Sequence, residues 1–235
     1  MNTLFKISAV ALLFLLSSCF LDGVKGNRNV ITQDRNISSD FDAIHVSYGI
    51  EVKLSMGSTT SLTVEADENL HDIIRTEVED GVLRIYAEKN IFSSKKRRVY
   101  VNAEEMNEIK ATSGASVVSE TNIKTEDMVI KTTSGANVNL NLEAVNVSCS
   151  STSGSNARLA GTAEKLIASS TSGANLRAKN LEVKVCEARA TSGSVMSVKA
   201  TEELDARATS GGNISCSGNP EIVKKSSSSG GNIRS

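Results

Sequence analysis

The chain has 235 residues, with 26 basic and 27 acidic side chains and a formal net charge of -1, so no broad electrostatic field favours nucleic acid as a partner. Aromatic residues make up 3% and tryptophan is absent, which leaves few flat apolar faces on which sugar rings stack. The length is ample for one sizeable core.

Residues 1–18 read as an export signal. Lys6 supplies a positive start and Ile7 to Leu16 an apolar run too short to span a bilayer as an ordinary helix. The segment ends Leu16-Ser17-Ser18-Cys19, which resembles the lipobox of bacterial lipoproteins. That resemblance implies cleavage before Cys19, lipidation of Cys19 and anchoring to a membrane, with the outer membrane as the expected location. The alternative is an ordinary secretory signal cleaved nearby. Residues 19–36 are polar and rich in Gly and Asn, and read as a tether between membrane and domain.

Residues 37–110 form a distinct cap region. Asp42 to Ser47, Tyr48 to Leu54, Ser61 to Glu65, Val82 to Tyr86 and Arg98 to Val101 alternate as strands. Asp67 reads as a helix N-cap, with Leu70, Ile73, Ile74 and Val78 on one face and Asp80-Gly81 ending the element. The one dense basic run, Lys95-Lys96-Arg97-Arg98, reads as a solvated loop, with contact to anionic headgroups or acidic glycans as the functional alternative. His45 lies between Ile44 and Val46 at an outward strand position, and no carboxylate at a defined spacing makes it or His71 a metal or acid-base group.

From residue 111 to 235 a Ser-Gly turn recurs seven times, with its glycine at Gly114, Gly135, Gly154, Gly173, Gly193, Gly211 and Gly230. Successive turn serines lie 21, 19, 19, 20, 18 and 19 residues apart, a solenoid period. Three residues after each glycine stand Val117, Val138, Ala157, Leu176, Met196, Ile214 and Ile233, all apolar, and the flanking positions alternate in and out with the period of a strand. Before the turn the inward residues shrink from Ile to Ala, as a tapering interior requires. A coil of about 19 residues accommodates two or three strands of roughly 5 residues joined by tight turns. The expected fold is all-β: a right-handed parallel β-helix continuous with a β-rich N-terminal cap containing one short helix. The turn glycines supply positive φ. Asn137, Asn156, Asn175, Asn213 and Asn232, two residues after their glycines, are placed to form an amide ladder, and the Thr before each of the first six turn serines a second one.

No chemistry-bearing constellation emerges. Repeated serines lack a base particular to one coil, and the aspartates of calcium-binding β-rolls are missing. Cys149, Cys186 and Cys216 fall in inward columns as small core residues. Arg158 and Arg177, outward on successive coils, either begin a basic stripe or serve as solvated charge that prevents aggregation. No catalytic, cofactor-binding or metal-ligating residue is expected, and no cofactor.

Phe41-Asp42-Ala43-Ile44, Val46 to Val52, Val64 to Leu70, Gly81 to Ile85, the Ser-Gly turns and the ending Ser228 to Ile233 resemble the auto-transporter adhesin head GIN domain family. The resemblance covers residues 37–235 and implies an exported, membrane-anchored β-solenoid of Bacteroidetes-like bacteria; it carries over no catalytic residue. Three functions from different classes follow: a non-enzymatic envelope lipoprotein that binds a glycan or protein at the cell surface, a structural or assembly protein that forms homo-oligomers through its C-terminal coil, or a polysaccharide-degrading β-helix enzyme, the last on fold analogy alone.

Overall fold

The computed structural model describes residues 23–234. Its architecture follows from one turn. In every copy the Ser and the Gly both hold left-handed backbone: Ser153 has φ +52° and Gly154 +69°, and the other copies lie within a few degrees. The residue after the glycine donates its N–H back to the threonine carbonyl, as Ser155 does to Thr152 at 3.2 Å. This is a type I′ turn, whose two positive φ values are normally supplied by Asn-Gly. The sequence identifies the glycine's part in this geometry and misses the serine's.

Each glycine N–H then bonds to the turn serine carbonyl of the next coil, from Gly114 to Ser134 at 3.0 Å through Gly211 to Ser229 at 3.2 Å. The ladder begins one coil earlier than the Ser-Gly repeat, because Gly49 donates to Ser113 at 2.9 Å. Tyr48 (φ +58°) and Gly49 (φ +66°) form the same turn. Ala43–Val46 and Glu51–Met56 are therefore a full solenoid coil, paired in parallel with Glu108–Ala111 and Ser116–Ser119. Eight such corners bound about seven stacked coils.

Between turns the coil is one long bent strand, where two or three short strands were expected. Asn137–Ser151, Asn156–Ser170, Asn175–Ala190 and Val195–Ala208 run 15, 15, 16 and 14 residues. Asn137 pairs with Asn156 and Ser151 with Ser170, a shift of one 19-residue coil. The bend comes where two consecutive residues face outward, as Val145 and Asn146 do. Inward residues build one continuous core, and they taper toward the turn as in Leu166, Ala168, Ser170. Immediately after the turn the interior admits only small side chains: Ala115, Ala136, Ser155, Ala174 and Ser194 are all buried.

The N-terminal end differs from expectation in two ways. Only Glu68–Leu70 is helical, as one 3-10 turn, and Asp67 makes no side-chain capping bond to it. Residues read as the rest of the helix form the strand Ile74–Glu79, which turns through Asp80 (φ +51°) and Gly81 (φ +75°) into the antiparallel strand Val82–Ala87. Asp-Gly between alternating residues is a hairpin signal, and it outweighs the weak helical spacing. Residues 23–35, expected within the tether, are folded. Gly23–Lys25 pairs with Asn90–Ser93, and Val30–Arg35 lies antiparallel to Ser61–Asp67, which in turn pairs with Arg97–Ala103. Antiparallel strands thus close the end of a parallel stack and cover its edge. The Cys19 lipidation expected from the lipobox lies outside the described residues.

The turn geometry makes a direct prediction. No atom lies within 4 Å of a Cβ built on Gly154, so Gly154→Ala meets only the φ penalty and should cost about 1–2 kcal/mol in denaturant unfolding. Ser153→Asn, which tolerates left-handed backbone better, should be neutral or slightly stabilising. Equal losses for the two variants would refute the type I′ assignment.

Candidate functional site

Chemical variety is concentrated at the capped end. Every aromatic side chain among the described residues precedes residue 101, and Tyr48, Phe92 and Tyr100 are exposed. Tyr48 occupies the position that serine holds at the following turns. It is 41% exposed and its backbone is left-handed, a costly conformation for a bulky residue and one that concentrates at functional positions.

Two clefts flank Tyr48. One, of about 660 Å³, is lined by Tyr48, Gly49, Asn90, Ile91, Phe92 and Arg97 with the Ser113-Gly114 turn. Gly23 allows the Phe92 ring to settle there, since a Cβ on it would lie 2.5 Å from the ring. Arg97 lies beneath Gly49 and donates long bonds of 3.5 and 3.4 Å to the carbonyls of Tyr48 and Ile91. The cleft continues into a second groove formed by Gly49, Glu51 and residues 93–98, which contains the whole basic run.

That run is not a loose solvated loop. The Asp67 carboxylate, fully buried, accepts backbone N–H bonds from Lys95, Lys96 and Arg28, each near 3.0 Å. Burial alone would raise its pKa, but these three N–H donors and the Lys95 charge outweigh it and hold the carboxyl below its ordinary value. Arg98 is neutralised by Glu51 at 2.9 Å and Glu65 at 3.6 Å, and stands over the Tyr100 ring. Among the described residues Arg97, one position earlier, has no carboxylate partner within ion-pair distance.

The other cleft, about 460 Å³, lies on the opposite side of Tyr48 and is lined by His45, Arg84, Lys110, Tyr86, Glu77 and Glu79, among others. Register stacks Arg84, His45, Lys110 and Lys131 in one outward column. Glu108 bridges two of them, 3.2 Å from His45 Nε2 and 3.3 Å from Lys131 Nζ. The sequence shows no partner for His45 because Glu108 is 63 residues away and meets it only through strand pairing. Burial, helped by the charges of Lys110 and Arg84, lowers the His45 pKa against the raising effect of Glu108. His71 is buried, with Nε2 facing the Ile31 and Ala66 carbonyls, and its role is structural.

The repeat residues singled out by sequence lie outside these clefts, apart from Gly114. Asn137, Asn156 and Asn175 stack in register, Val195 interrupts the column, and Asn213 and Asn232 resume it. Within this column the amide ladder shrinks to one rung, Asn156 to Asn137 at 3.2 Å; Asn137 and Asn213 instead bond their own turn carbonyls, Gly135 and Gly211. The threonine column likewise has one rung, Thr209 to Thr191 at 3.0 Å. Hydroxyl bonding between coils runs inside the corner, where Thr132, Ser151 and Ser155 are buried within 3.0 Å of one another. Arg158 and Arg177 stack outward on adjacent coils. Burial pushes the Cys149 and Cys186 thiols up to about 12, which marks them as inert core groups. Among the described residues no three His, Cys, Asp or Glu side chains gather as a metal site.

Fold and surface together define a repeat protein: a parallel β-solenoid with an antiparallel cap and one aromatic, cationic end. The chain belongs to the family described as "Putative auto-transporter adhesin, head GIN domain", whose match spans residues 40–220. Solved structures share the fold. A putative adhesin from Bacteroides fragilis has 23% identity and a TM-score of 0.84 over 90% of this chain and 99% of its own. A putative lipid binding protein from Parabacteroides distasonis has 25% identity and a TM-score of 0.72, with 90% and 98% covered. A putative adhesin from Parabacteroides merdae has 22% identity and a TM-score of 0.72, with 91% and 98% covered. No relative among proteins of curated function matches the chain.

Asp67 gives the site a pH signature. Its folded pKa is depressed, so its contribution to stability is complete above the ordinary carboxylate pKa and disappears as pH falls through the lower folded value. Asp67→Ala should cost about 2–3 kcal/mol at neutral pH by stranding buried N–H donors. The difference between wild type and variant should shrink as pH drops through that range. A constant difference in pH-dependent denaturant titrations would show that the carboxylate charge is unimportant.

Proposed function

We propose that this chain is an exported envelope lipoprotein whose non-enzymatic β-solenoid acts as an adhesin, with Cys19 carrying the lipid and the outer membrane as its site. The observation that carries this reading is the position of the cap. Three residues separate Cys19 from the folded Gly23, so the capped end stays beside the anchor and the remaining coils extend away from it. Rungs about 4.8 Å apart make about seven coils a rigid post roughly 35 Å tall. Its outward columns offer Asn, Ser, Thr and scattered Arg to a glycan or protein at the cell surface. Family membership and the putative adhesins that share the fold support this reading.

Metabolic labelling with palmitate should mark the wild-type protein and leave Cys19→Ala unlabelled and released from membranes. Protease added to intact cells should cleave the labelled protein. Full protection of a labelled protein would place the post inward and remove the adhesive reading, while retaining a lipoprotein with a periplasmic partner.

A second reading, envelope assembly through the C-terminal coil, is favoured by the strand Ile222–Ser227, which is exposed along its length with Ile222 and Val223 uncovered. Light scattering should then show concentration-dependent association that Val223→Lys abolishes. A strict monomer at high concentration excludes it.

A further inference from the structure

The proposed anchor and the aromatic, cationic groove lie at the same end of the molecule, and the chain between them is short. The four Cα–Cα steps from Cys19 to Gly23, fully extended, reach at most about 14 Å. Gly23 is itself in contact with the Phe92 ring. Any lipid on Cys19 therefore holds Phe92, and the groove that Phe92 lines with Tyr48, within reach of the headgroup layer.

The groove carries the two kinds of side chain that an interface selects. Tyr48 and Phe92, 41% and 46% exposed, present aromatic surface, and aromatic rings partition into the headgroup region. Beside them stand Lys25, Lys95, Lys96 and Arg97. Lys25 pairs in register with Ser93, two residues before the basic run begins at Lys95. None of these four cations has a carboxylate within ion-pair distance among the described residues, whereas Arg98 has two. The nearest acid, Asp67, is buried behind the loop with its oxygens bonded to backbone N–H groups. Asp67 thus presents the lysine backbone rigidly and leaves the side chains facing outward.

Taking the lipid anchor of the proposed function as given, we propose that the capped end is a membrane-docking surface, in which Lys25, Lys95, Lys96 and Arg97 hold anionic phospholipid headgroups while Tyr48 and Phe92 enter the headgroup layer. A single lipid attachment fixes position but not orientation, and a basic patch is the second signal that stabilises such an anchor. Docking at this end sets the post upright. It also accounts for a tyrosine in a strained turn position that the following coils fill with serine.

The chain contains three tyrosines, all at this end, and no tryptophan; only Tyr48 lines the groove, so intrinsic fluorescence reports on the capped end and the Tyr48→Ser difference isolates the groove. Full-length lipoprotein is reconstituted into vesicles of phosphatidylcholine with about 30 mol% phosphatidylglycerol, a charge density at which each basic residue contributes to attraction, with brominated acyl chains as quencher. Expected are quenching that falls at least about threefold at roughly 0.5 M salt, an equal fall in neutral phosphatidylcholine vesicles, and the same loss in Lys95→Gln/Lys96→Gln. Tyr48→Ser, which restores the repeat's own residue and so should fold, removes most of the quenchable signal. Quenching that is absent, or equal in neutral and anionic vesicles, overturns the proposal. So does Arg97-dependent binding of oligogalacturonate by the detergent-solubilised protein with no response to vesicles, which would assign the groove to an acidic saccharide. Palmitate labelling separates the two failures: an unlabelled protein refutes the anchor, and a labelled protein whose tyrosines ignore anionic lipid refutes only the docking.

Discussion

The left-handed pair at each corner is the constraint on which the rest of this molecule depends. Two consecutive residues with positive φ reverse the chain in the smallest possible space, and the glycine N–H left pointing along the stack finds the serine carbonyl of the next coil. With that bond made, register is fixed for the whole coil, because a strand shifted by one residue would turn its apolar side chains to solvent. The same tight reversal brings two backbones close together inside the corner and so confines the adjoining interior to Ala, Ser and Gly. At Gly231 a Cβ would sit 2.1 Å from the Ala208 carbonyl oxygen, so even alanine is too large there. The taper of each inward column from Leu or Ile to Ala or Ser is the packing consequence of a single backbone choice.

This constraint also decides what a reader of the sequence can see. Columns of Ser, Gly and apolar residues repeat because stacking imposes one environment on each position, and that environment is written in the side chains themselves. The coil through Tyr48-Gly49 obeys the same geometry but replaces serine, so its place in the stack is hidden behind a different residue. The helix expected after Asp67 fails for a related reason. Ile73, Ile74 and Val78 satisfy a helical spacing only loosely, while Ile74, Thr76 and Val78 also satisfy a strand, and the decisive information sits in Asp80-Gly81. Asn side chains beside the turn prefer the carbonyl of their own glycine, a bond two residues away, to an amide one coil distant. Local partners win because they cost less ordering.

The candidate site was the least legible part, and strand pairing explains why. Glu108 reaches His45 across 63 residues, and Asp67 reaches Lys95 across 28. Neither relation leaves a local spacing in the sequence. A basic run of four residues looks uniform when read in line, yet the fold divides it: Arg98 faces Glu51 and Glu65 on the sheet, Arg97 turns under Gly49, and the two lysines are presented from a loop whose backbone is held from behind. Composition misleads in a similar way. Three per cent aromatic content is an argument against stacking surfaces only if the aromatics are dispersed, and here they gather at one end.

That gathering has a structural cause. A coil in the interior of the stack is bounded by copies above and below, so every outward residue has neighbours about 4.8 Å away and bulky or like-charged side chains crowd their equivalents. Only at an end does one side of this restriction lift. The two ends solve the resulting exposed edge differently. At the N-terminal end antiparallel strands fold back over the stack, which breaks the repeat and frees its positions for Tyr48, Phe92 and unpaired cations. In the strand Ile222–Ser227 the stack keeps its parallel register and places Lys225 opposite the inward-facing Ala206, a charge in a column that is apolar in the coils before it. The N-terminal end is thus specialised by variety. The irregular end of the solenoid is where its chemistry has to be sought.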